Sequence, residues 1–117
     1  MSSPPCSRYY VLDDRGEPVA AGSVEEWARW FEANRLNRHV GDTTIDGVRV
    51  STVFLGVDHQ WGSGPPLIFE TMIFGGPYDS YEWRWTTRAQ ASANHDQAVA
   101  AIRDGLPPLD AGAVRSE

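Results

Sequence analysis

The chain contains no lysine. All ten of its basic residues, in 117, are arginine. Schiff-base chemistry on a lysine is excluded, as is a phosphate loop with its lysine. Cysteine is nearly as scarce: Cys6 stands alone in a leader rich in proline and serine. One cysteine makes neither an intrachain disulfide nor a cysteine zinc cluster. A catalytic thiol is disfavoured there, because chain termini are usually mobile. Long apolar runs are missing too. No window approaches the roughly 20 apolar residues that a membrane helix needs. The first residues, MSSPPCSRYY, lack a basic region followed by an apolar one, so no signal peptide is read. These absences point to a cytoplasmic protein with no membrane partner.

Concentrated positive charge is also lacking. The net charge is −6 and the arginines are spread from Arg8 to Arg115. The densest basic stretch holds only Arg35, Arg38 and His39. Duplex binding by phosphate neutralisation is therefore not expected. Acidic residues are equally dispersed, which disfavours a nucleic-acid mimic.

What remains is an ordinary globular composition, 41% apolar and 22% charged. The length suits one domain. Residues 1–7 read as a flexible leader, 8–105 as a single domain and 106–117 as a flexible tail. Tyr9 to Leu12 is a short strand, stopped by the turn-like Asp13-Asp14-Arg15-Gly16. A helix follows, with Ser23 and Glu26 in capping-box positions and Val24, Trp27, Trp30 and Phe31 on one face. That aromatic face reads as core.

Thr43-Thr44-Ile45 leads into Asp46-Gly47, and an eight-residue strand runs from Val48 to Leu55. Asp-Gly between β-branched runs favours a type I′ turn. Val48, Val50, Thr52 and Phe54 share the face expected to be buried. A glycine-rich connector, 56–66, is longer than a hairpin needs. LIFETMIF, Leu67 to Phe74, is the most apolar strand and belongs at the centre of a sheet. Tyr81 to Trp85 alternates, with Tyr81, Trp83 and Trp85 to one side. Thr87 and Gln90 open a last helix, whose stripe is Ala91, His95, Ala98, Val99 and Ile102. Gly105, Pro107 and Pro108 end it. The order is β-α-β-β-β-β-α. The class is α+β: an antiparallel four- to five-stranded meander with two helices packed on one face.

Glu70 is the anomaly in LIFETMIF. A carboxylate in so apolar a run must be solvated, paired or protonated. His95 is the only polar residue on the last helix's apolar stripe, and a helix lying over the strand would bring the two together. Asp58 and His59 stand in the connector just before the strand. Asp58, His59, Glu70 and His95 are acceptable zinc or manganese ligands, but their spacing matches no metal motif. The structural alternatives pair Glu70 with His95, Arg49 or Arg84, or leave it on an exposed face. Trp61, between flexible neighbours, suits stacking on a ligand or anchoring in a partner's pocket. GSGPP precedes a strand and lacks lysine, so it is no phosphate loop. No nucleophile elbow is present. No catalytic residue, metal site or cofactor is assigned.

The run TTIDGVRVSTVFLGVDHQWGSGPPLIFETMIFGG, followed by WRWTTRAQASANH, resembles a family of small uncharacterised bacteriophage and bacterial proteins. The shared features are the VSTVFLG strand with its DH turn, the FETM and FGG segments, and a helix carrying a histidine. The resemblance spans about half the chain and transfers no catalytic residue. It implies a phage-type accessory protein that binds a protein or small molecule, host- or defence-directed. Asp58, His59, Trp61, Glu70 and His95 are the candidate binding residues. The alternatives are a small enzyme or metal-binding protein using Asp58, His59, Glu70 and His95, and a structural homodimer through Tyr81–Trp85.

Overall fold

A computed structural model describes residues 8–60 and 64–108. Strand β1 (Tyr10–Leu12) turns back at once into β2 (Pro18–Ala20), and the two form a small antiparallel sheet. The Asp13 carboxylate accepts the backbone N–H groups of Arg15 and Glu17, at 2.8 and 2.9 Å, and so holds the turn. The expected order omitted β2. It is three residues long, begins with proline and is largely exposed, so it carries none of the usual strand signals. The observed order is therefore β-β-α-β-β-β-β-α.

Helix α1 (Val24–Ala33) starts where Ser23 Oγ accepts the N–H of Glu26 at 3.0 Å. None of its residues is fully buried, and Val24 is exposed. Its aromatic face is an outer layer of the core. Trp30 meets Phe54 edge-on at 5.7 Å, while Trp27 packs between Tyr9 and Phe31.

Four antiparallel strands follow in meander order: β3 (His39–Ile45), β4 (Val48–Phe54), β5 (Phe69–Phe74) and β6 (Glu82–Trp85). The β3–β4 hairpin turns at Asp46 (φ 51°) and Gly47 (φ 83°), the two positive dihedrals that a type I′ turn demands. LIFETMIF is central as expected, with β5 between β4 and β6. Strand β3 runs four residues further back than Thr43-Thr44-Ile45, with a register shift between His39 and Gly41. Gly41 and Asp42 are poor strand formers, so the sequence marks only the end of this strand.

Helix α2 (Arg88–Arg103) lies across the whole sheet. Its capping box is complete: Gln90 N–H donates to Thr87 Oγ1 at 3.0 Å, and Gln90 Oε1 accepts from Thr87 N–H at 3.1 Å. Ala91, His95, Ala98 and Val99 face the sheet and are buried. Beneath them lie Val50, Phe54, Phe69, Ile73, Trp83 and Trp85, with Ile68 beside them. At Gly105 (φ 73°) the helix ends in a Schellman-type turn, Leu106 N–H donating to Ala101 O at 2.8 Å. Beyond it Leu106 and Pro107 are exposed and Pro108 is buried; the rest of the expected tail lies outside the described residues.

Candidate binding site

The sheet separates its chemistry onto two faces. Side chains alternate along β5, so Phe69, Thr71 and Ile73 turn toward α2, and Glu70, Met72 and Phe74 turn away. Glu70 and His95 therefore lie on opposite faces, and the expected pairing is overturned. Glu70 sits directly across from Arg84 in the β5–β6 register, and Arg84 Nε donates to its carboxylate at 3.2 Å. Arg84 also reaches Glu82, at 3.8 Å. Burial, then the neighbouring Glu82 carboxylate, push the Glu70 carboxyl above its usual value, and Arg84 opposes both. On the same face Arg49 grips Asp42 through two bonds of 2.9 and 3.0 Å.

His95 belongs to a different constellation, which the sequence reading did not reveal. A row of hydrogen bonds crosses the core beneath α2. Trp85 Nε1–H donates to Thr71 Oγ1 at 3.0 Å, and the Thr71 and Thr52 hydroxyls meet at 2.7 Å. Thr52 Oγ1 lies 2.8 Å from His95 Nδ1, and Thr43 Oγ1 lies 3.0 Å from His95 Nε2. An indole donates only, and each hydroxyl has one proton to give. One direction pairs every buried member: Trp85 to Thr71, Thr71 to Thr52, Thr52 to Nδ1, and Nε2–H to Thr43. That direction requires a neutral imidazole. A proton on Nδ1 would turn the Thr52 hydroxyl back toward Thr71 and leave the Thr71 proton without an acceptor in this row. Burial likewise lowers the His95 pKa below its ordinary value, with Asp96 and Asp42 opposing. The imidazole rests directly on Gly41, where a Cβ would come within 2.7 Å of the ring.

The remaining expected residues have local roles. Asp58 Oδ1 accepts the N–H groups of Gln60 and Leu67, at 2.7 and 2.9 Å, and ties the two ends of the connector together. His59 is half-buried in the same connector. Burial, Arg84 and Arg8 lower its pKa, and Asp58 and Glu82 oppose them. Trp61 lies outside the described residues, as does Cys6. Asp58, His59, Glu70 and His95 do not converge as one ligand set. Among the described residues no group of three or more His, Cys, Asp or Glu side chains could hold a metal ion.

The structure draws attention to the other end of the polar row. Between α2 and the edge strand β6 opens a cavity of about 260 Å³, reached by Thr71, Trp83, Trp85, Asn94, Gln97 and Ala101. The two indoles supply most of its aromatic surface. Small side chains make the space: Ala98 and Ala101 face the indoles where larger residues would fill the gap. Leu106 and Pro107 return over it after the Schellman turn. A second cavity, about 210 Å³, lies between the β3–β4 turn and the end of α2, beside Tyr78 and Ile102. The sequence carried a signal for the first cavity in the Tyr81-Trp83-Trp85 alternation and the alanine-rich helix. Read separately, each meant only core packing.

Comparison with protein-family models, curated proteins and solved structures finds no match. Among the described residues no helix is long and apolar enough to cross a membrane.

Proposed function

We propose that this chain is a small binding protein, a phage-type accessory that holds a ligand in the cavity between α2 and β6. The cavity floored by Trp83 and Trp85 carries the reading. Ligand sites are concave and largely apolar, with a few placed polar groups, and Asn94 and Gln97 supply those groups here. The resemblance to bacteriophage proteins supports binding over catalysis. The dispersal of Asp58, His59, Glu70 and His95 removes the geometric basis for a joint metal or acid–base site. The homodimer reading has less support, because two of the three aromatic side chains of Tyr81–Trp85, Trp83 and Trp85, are 4% and 7% exposed beneath α2.

A fragment screen followed by amide and indole N–H spectra tests the reading. Bound fragments are expected to shift the Trp83 and Trp85 indole signals. Ala101→Leu, which adds bulk at the cavity wall with little loss of helix propensity, is expected to abolish those shifts while the denaturation midpoint holds. Fragments that bind equally well to Ala101→Leu would place the site elsewhere.

A further inference from the structure

We infer that the ligand of the α2–β6 cavity is a small uncharged molecule with a planar aromatic body and a hydrogen-bonding edge that carries an N–H donor. The inference rests on the cavity being the binding site, and it goes further by naming what enters.

Charge is excluded first. Among the described residues no ionisable side chain lines the cavity. The cavity is half open to solvent, so an ionic ligand would give up part of its hydration shell there and find no counter-charge among the described residues to offset it. Shape comes next. Two indoles from alternate positions of β6 line one side, and the alanines of α2 line the other. Indole rings favour stacked or edge-on aromatic partners.

The polar rim decides the edge. Asn94 and Gln97 are three residues apart on α2, so they stand one above the other on the same side of the helix. Asn94 Nδ2 donates to the Gln90 carbonyl at 2.8 Å. A carbonyl only accepts, so this bond fixes the amide with its nitrogen toward the backbone and leaves Oδ1 as an acceptor. Gln97 is exposed and makes no hydrogen bond among the described residues, so its amide is available in either orientation. Thr71 is already spoken for by Trp85 and Thr52 at the cavity's inner end. The rim thus offers one fixed acceptor and one adaptable amide. A primary amide, a lactam or an amino-heterocycle matches that pattern; a carboxylate does not.

Three probes of one size separate the parts of the claim: benzamide, benzoate and toluene. The readout is the Trp83 and Trp85 indole N–H signals of the full chain, titrated with each probe. Benzamide is expected to give saturable shifts, with benzoate at least about tenfold weaker. Asn94→Ala and Gln97→Ala are expected to weaken benzamide several-fold and to leave toluene unaffected. Both positions are off the buried stripe, and an unchanged denaturation midpoint confirms that the fold is intact. Benzoate binding as tightly as benzamide overturns the inference. So does a benzamide affinity indifferent to Asn94 and Gln97, although shifts abolished by Ala101→Leu would then leave the cavity as the site. If no probe perturbs either indole, the inference and the cavity reading fall together.

Discussion

At the scale of single residues, the arrangement under α2 depends on what stands opposite His95. Gly41 is required there by contact, since its backbone is not in a left-handed region but a methyl group would enter the imidazole ring's space. Gly41→Ala is expected to cost about 1–3 kcal/mol, the usual range for overpacking a tight core. Urea denaturation measures it, as a lower midpoint with an unchanged slope. The imidazole itself makes stability depend on pH. In the unfolded chain His95 takes its proton near 6.5, whereas burial holds the folded value lower. Between those two values the unfolded state binds the proton and the folded state does not. Stability is therefore full above 6.5 and is lost as the pH falls through the folded pKa. His59, also lowered, adds a loss of the same sign. NMR titration is expected to place the His95 pKa below 6.5 and to find it unmoved by Glu70→Gln, because the sheet stands between the two. A His95 pKa above the ordinary value, or one that follows Glu70, would contradict the neutral row.

At the scale of elements, the hairpin and the helix starts were legible because each is encoded locally. Thr87 and Gln90 cap α2 through bonds within one turn. Asp46 and Gly47 set β3 against β4 through their own dihedrals. A Cβ at Gly47 would meet nothing within 4 Å, so any cost of replacing it is conformational and not steric. Gly47→Val is expected to lose roughly 1 kcal/mol or more, and Gly47→Asn less, because asparagine tolerates positive φ. Equal midpoints for the two variants in thermal or urea melts would speak against the turn as described. The partner of Glu70 was not legible, because it is set non-locally. Phe69, Thr71 and Ile73 are about as apolar as Ile68, Met72 and Phe74, so the strand does not reveal which side the helix covers. The polar row was hidden for the same reason. Thr52 was placed on a buried face, but nothing nearby in sequence says that Thr71, Trp85 and His95 will meet it. The cavity was harder still, since it is a space left where alanines of α2 pass two indoles of β6.

At the scale of the whole molecule, charge sets the class of partner. The net charge is −6, so a polyanion meets repulsion before it meets any surface detail. The arginines that might offset this are largely committed. Arg49 is held by Asp42, Arg84 by Glu70 and Glu82, and Arg35 by Glu32. Arg8, Arg38 and Arg88 donate to the backbone carbonyls of Asp58, Phe54 and Gly16, and Arg38 also stacks on Phe31 at 4.1 Å. Freeing such an arginine for a phosphate would sacrifice a contact that the fold already uses. Duplex affinity scales with the number of phosphates neutralised, and each contributes close to one unit to the salt dependence. No appreciable binding to duplex DNA is therefore expected at about 0.15 M salt, nor a steep salt slope at lower concentrations. Fluorescence anisotropy with a labelled duplex of arbitrary sequence measures both. Micromolar affinity that falls steeply as salt is added would mean that several of these arginines leave their partners, and the face carrying Arg49 and Arg84 would then have to be reconsidered as a phosphate-binding surface.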